Sequence, residues 1–124
     1  MTAPPAPYRD SIRRAAAVLA ALIAVIVGYF SLVPPGEAPA PQISDKIRHF
    51  VAYATLAVPV AVWFGPRRLI AAMAVTALYG AGLEATQALA GIGRAGSLAD
   101  AAANALGAVI GVLSVWTSAR LLKR

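Results

Sequence analysis

Residues 15–33, AAAVLAALIAVIVGYFSLV, form a run of 19 with no charged side chain. About 20 such residues in a helix cross the ~30 Å hydrocarbon core of a bilayer. Three further apolar stretches follow at short intervals, over residues 45–64, 69–89 and 98–119. No water-soluble packing accommodates this pattern in so short a chain. The sequence has 124 residues, of which 60% are hydrophobic and 13% charged, against about 25% charged in an ordinary domain. Small domains bury a smaller fraction of their surface than large ones, so a soluble form would leave much of this apolar surface in water. The expected fold class is all-α: an integral membrane four-helix bundle with short loops.

The punctuation between the spans is clear. Residues 1–14 are proline-rich, carry Arg9, Arg13 and Arg14, and read as a short flexible tail. PPGEAPAPQ, residues 34–42, reads as an extended, proline-stiffened loop. The second span contains Pro59, which removes one backbone hydrogen bond but is tolerated in membrane helices when neighbours compensate. GPRR at 65–68 is a tight turn, AGIGRAGS at 90–97 a glycine-rich hairpin, and residues 120–124 a basic tail. Residues 15–119 thus make one four-helix transmembrane domain. A cleaved signal peptide ending near Ala38-Pro39-Ala40 fits less well, because the apolar run exceeds the usual 7–15 residues and Pro41 would follow the cut.

The chain has no cysteine, which excludes disulfides, thiolate metal sites and cysteine nucleophiles. Its net charge of +6 invites nucleic acid as a partner, but the placement of the charges points to topology instead. Arg9, Arg13, Arg14, Arg67, Arg68, Arg120, Lys123 and Arg124, eight of the eleven basic residues, fall on one side of a four-span chain. Lys46, Arg48 and Arg94 fall on the other. The positive-inside rule then puts both termini in the cytoplasm, and no nucleic acid is expected.

With that topology the unusual polar residues gather in the outer half of the membrane. Asp45, His49 and Tyr53 recur at i, i+4, i+8 and form one stripe on the second span. Gly80, Glu84 and Gln87 share a face near the end of the third. Asp100, Asn104, Gly107 and Gly111 lie within roughly 60° of one another on the fourth, with Arg94 and Ser97 in the loop above. Several of these have ordinary explanations. Asp45 favours a helix N-terminus, Ser97 and Asp100 have capping-box spacing, and Lys46 and Arg48 can snorkel to phosphates. Tyr53 can join an interfacial aromatic belt, and Gly107-x-x-x-Gly111 can be a packing motif. Glu84 resists such a reading: a carboxylate inside the membrane costs about 2.5–3.5 kcal/mol even on lenient scales. It needs company, and His49, Arg94 and Asn104 are the candidates.

DKIRHFVAYATL (45–56), GLEATQ (82–87) and GRAGSLADAAANALGAVIG (93–111) together resemble the VanZ-like family. That pattern joins a D-K-x-x-H-F-x-x-Y block, an E-x-x-Q block and an R-x-x-S-x-x-D-x-x-x-N-x-x-G block. It covers residues 44–111 and carries Asp45, Lys46, His49, Phe50, Tyr53, Glu84, Gln87, Arg94, Ser97, Asp100, Asn104 and Gly107 with no departure at a polar position. The resemblance implies a small polytopic protein of the bacterial cytoplasmic (inner) membrane. It also suggests a link to the cell envelope and to antibiotic resistance, since the family takes its name from a member associated with teicoplanin resistance.

Two functions fit these residues. In the favoured one, Asp45, Lys46, His49, Tyr53, Glu84, Gln87, Arg94, Ser97, Asp100 and Asn104 line an outward-facing polar pocket for the head group of a membrane lipid or lipid-linked envelope precursor. Gly80, Gly107 and Gly111 serve helix packing. In the alternative, the protein is a membrane-embedded enzyme in which His49, Glu84 and Asp100 perform acid–base chemistry on such a head group. One histidine with two or three carboxylates could hold a divalent ion, but a single histidine and no recognised ligand spacing lead to the expectation of no metal and no cofactor. Homo- or hetero-oligomers in the membrane stay open.

Overall fold

The computed structural model describes residues 6–33, 45–91 and 98–124. Within them lie four helices and no strand: α1 (Ala6–Leu32), α2 (Asp45–Phe64), α3 (Leu69–Ala90) and α4 (Leu98–Leu121). All four are long and apolar enough to cross a membrane, and the chain is an all-α, multi-pass membrane protein. The proline-rich loop and the hairpin carrying Arg94 and Ser97, with its capping box, lie outside the described residues.

Two boundaries differ from expectation. Helix α1 begins at Ala6, so residues 6–14 are helical where a flexible tail was anticipated. Pro7 sits in the first turn, where its missing N–H would be unpaired anyway. The 27 residues of α1 reach about 40 Å, and its first turns carry the exposed Arg9, Asp10, Ser11, Arg13 and Arg14. Apolarity marks only the part that lipid would cover, and the helix continues past it. At the other terminus α4 runs to Leu121, with the Arg120 guanidinium 4.8 Å over the Trp116 ring.

The four-residue connection between α2 and α3 depends on Gly65. Its φ of 85° is left-handed, a conformation that costs a side-chain-bearing residue, and its carbonyl accepts from Arg68 N–H at 3.1 Å. The remaining helices alternate in direction. Arg13 Nε donates to the Trp63 carbonyl at 2.8 Å, which places the start of α1 beside the end of α2.

Helix α2 is central. It packs on all three others, while α1 and α4 do not meet among the described residues. The interior is built mainly from small side chains, Ala57, Ala61, Ala72 and Ala108, with Tyr53, Leu56, Val60 and Val112. Large apolar residues such as Leu22, Val25, Ile70, Leu78, Leu106 and Ile110 point outward. This inversion suits a bilayer, where lipid is as apolar as leucine and close packing of small residues drives association. Hydroxyls on these helices donate to their own preceding turns: Thr55 to Val51 O, Thr76 to Ala72 O and Thr86 to Gly82 O. A helix can therefore carry them without an unpaired donor.

Candidate functional site

The antiparallel order brings the start of α2, the last third of α3 and the start of α4 to one end of the bundle. Packing fixes their mutual depth. A Cβ on Gly107 would collide with the Phe50 carbonyl and Ala54 N, and one on Gly111 with the Ala54 carbonyl. Only hydrogen at these positions lets α4 lie backbone to backbone on α2. Gly80 does the same for α3: a Cβ there would stand 2.8 Å from both Asn104 Nδ2 and Tyr53 Cε1. Three glycines thus hold three helices close enough for short side chains to meet.

At the centre is His49. Its Nδ1 donates to Asn104 Oδ1 at 2.7 Å, and the same nitrogen lies 3.5 Å from Glu84 Oε1. Its Nε2 faces Asp100 Oδ2 at 3.9 Å. Lys46 Nζ approaches Asp100 Oδ1 at 3.7 Å from the rim, where its side chain is 61% exposed. Glu84 is buried at 7% exposure and Asn104 at 1%. The burial gradient decides which contacts matter. A pair with one partner in solvent contributes little, whereas a carboxylate and an amide removed from solvent need their partners to offset lost hydration. Glu84 and Asn104 are buried; His49 and Asp100, exposed to 18% and 16%, are half-buried beside them, and Lys46 lies at the rim.

The sequence-derived candidates divide accordingly. His49, Glu84, Asp100, Asn104 and Lys46 are brought together. Asp45 is not: as the first residue of α2 it is one turn above His49, its side chain 73% exposed and 3.7 Å from Arg48 Nη1. Tyr53 is buried in the apolar core one turn below His49, with its ring 6.4 Å from that of Tyr79, so it belongs to no interfacial belt. Gln87 is buried too, but its Nε2 donates to Ser31 O of α1 at 2.5 Å. It ties helices rather than facing His49. Arg94 and Ser97 lie outside the described residues. Sequence reading did not single out Tyr79, which donates to Ala24 O on α1 at 2.5 Å; a tyrosine in a run of apolar residues gives no sign of a distant carbonyl.

The arrangement can move or hold positive charge. An imidazole between two carboxylates can shuttle a proton, and the same three residues form a metal donor set. One potential ligand atom from each of His49, Glu84 and Asp100 lies within 4.8 Å of the others. The expectation of no metal rested on the single histidine and on linear spacing; these donors are 35 and 16 residues apart in the chain, and folding assembles them.

The sequence model of the VanZ/LLP1 family matches residues 11–122. No curated protein and no solved structure matches the chain.

Proposed function

The chain belongs to the VanZ-like family, and on that premise we propose that it binds the head group of a membrane lipid or lipid-linked cell-envelope precursor. The pocket is the end of the bundle where His49, Glu84, Asp100 and Asn104 converge. The observation that carries the reading is Glu84, a carboxylate at 7% exposure within a candidate membrane span, accompanied by polar groups from two other helices. Such a group is costly and is by default a sign of function. Exposed Lys46 at the mouth would meet phosphate or carboxylate, while the histidine, amide and carboxylates would read hydroxyls or amines.

The charge asymmetry supports a pocket that faces outward from the bacterial cytoplasmic membrane, with both termini inside. Because the chain lacks cysteine, Gly96→Cys and Arg67→Cys report this directly. An impermeant maleimide added to intact cells should label the first and spare the second; the reverse pattern overturns the orientation. An influence on susceptibility to teicoplanin-type lipoglycopeptides follows if the bound head group belongs to a wall precursor.

Native mass spectrometry of the purified chain tests the binding reading. One lipid class should be retained by the wild type and lost from Glu84→Gln. Retention of the same lipids by both would remove the cluster as the binding site. The enzymatic reading draws on one observation, the His49 ring set between Asp100 and Glu84 with its orientation held by Asn104. Release of an altered lipid by the wild type, and none by His49→Gln, would favour it.

A further inference from the structure

We propose that His49, Glu84 and Asp100 bind one divalent transition-metal cation, of the Zn2+ or Mn2+ type, between α2, α3 and α4. This deepens the head-group reading and rests on the same cluster, since a metal ion there is a further group able to hold an anionic oxygen.

The donor set is chemically apt. One imidazole nitrogen with two carboxylate oxygens suits borderline divalent metals. Two donors bound to one ion at about 2.0–2.2 Å stand no more than about 4.4 Å apart. The contact from His49 Nε2 to Asp100 Oδ2, at 3.9 Å, is within that range. The widest separation in the trio, inside 4.8 Å, closes with a small carboxylate rotation. A 3.9 Å separation is long for a hydrogen bond yet natural for atoms sharing an ion.

Asn104 supplies the outer support that metal-binding histidines require. By accepting from Nδ1 at 2.7 Å it places the ring proton there and the lone pair on Nε2, the nitrogen towards Asp100. Such second contacts fix the tautomer and orientation of a ligating imidazole. Asn104 also offers an independent sign of a bound group. It is 1% exposed, and its Nδ2 is a buried donor with no acceptor among the described residues. Donors of this kind are rare in folded proteins, and water or an anionic oxygen coordinated to the ion would supply the missing acceptor. Lys46 is no obstacle: its 3.7 Å approach to Asp100 comes from an exposed side chain, which an ion between the carboxylates can displace.

The test uses the full chain, free of any histidine tag, stripped with chelator and desalted. Separate samples are loaded with Zn2+ or Mn2+ alone, desalted again, and their metal content measured by plasma mass spectrometry. The expected result is about one ion per chain with at least one metal. His49→Gln, Glu84→Gln and Asp100→Asn should each weaken uptake at least tenfold while eluting as wild type. The ion should also raise the wild-type melting temperature, and chelator should reverse the rise, which keeps the test decisive if a variant fails to fold. Wild type that takes up neither metal, or three folded variants that all retain it, would overturn the proposal. Lipid retained by metal-free wild type would leave the head-group reading standing without the ion, and metal uptake without lipid would do the opposite.

Discussion

The seam between α2 and α4 and the flank formed by α1 are joined by different physics. At the seam, Gly107 and Gly111 leave no side chain of their own between two backbones, so α4 lies against the main chain of Phe50 and Ala54. At the flank, α1 is attached by side chains reaching for carbonyls: Tyr79 to Ala24, Gln87 to Ser31 and Arg13 to Trp63. The seam carries His49, Asp100 and Asn104; α1 contributes none of the cluster's side chains. A polar site that must hold atoms to a few tenths of an ångström is built where backbone meets backbone. The tethered flank places no side chain in that cluster, so slack there leaves the cluster's contacts in place.

The comparison breaks most severely at Gly107. Replacement by leucine puts a side chain where Phe50 and Ala54 main chain already stand, and backbone cannot rotate away as a side chain can. Overpacking a core commonly costs about 1–3 kcal/mol and sometimes more, and this case should lie at or beyond the top of that range. Gly82, also in a helix, has open space around it, so Gly82→Leu should be nearly neutral. Accumulation and thermal stability in detergent measure both. Equal tolerance at the two positions would mean that the seam is looser than its geometry.

The second prediction separates the seam's chemistry from its packing. Glu84→Gln, His49→Gln and Asp100→Asn nearly preserve size, so if the cluster is functional they should abolish any effect of overexpression on lipoglycopeptide susceptibility or envelope stress at unchanged abundance. A cluster kept only for structure behaves otherwise, because breaking a buried charge pair costs about 3–5 kcal/mol and protein level would fall together with phenotype. Unchanged phenotype at normal abundance for all three variants would remove the site.

The spans, their order and the shared depth of His49, Glu84, Asp100 and Asn104 were legible because helical periodicity and the cost of charge in lipid are both written linearly. Partner choice was not. Asp45 lies on the same stripe as His49, yet one helical turn takes the side chain from 18% to 73% exposed. Gln87 lies three residues beyond Glu84, and that rotation aims it at α1 instead of α2. Helix α1 was longer than its apolar run because its amphiphilic first turns answer to water, on which hydropathy is silent. A metal was discounted for want of a ligand spacing, and the Tyr79 bond was missed, for the same reason. Both join groups from separate helices, and no local spacing records which helices become neighbours.

The smallest expected effect is at the flank. Tyr79→Phe keeps the ring beside Tyr53 and deletes only the hydroxyl that reaches Ala24 O. Gln87→Met keeps most of the length and deletes the donor to Ser31 O. Hydrogen bonds between membrane helices average about 0.6 kcal/mol and reach about 1.7, so each change should lower stability by that amount. Their acceptors are seven residues apart on α1, about 10 Å along its axis, so the two losses should add when combined. The double variant should loosen α1 while lipid retention and metal uptake at the cluster stay at wild-type levels, because α2, α3 and α4 keep every contact that positions His49. Thermal unfolding measures the first and native mass spectrometry the second. A double variant that lost its lipid while remaining folded would show that the flank steadies the site, and that the division between a rigid seam and a slack flank is drawn in the wrong place.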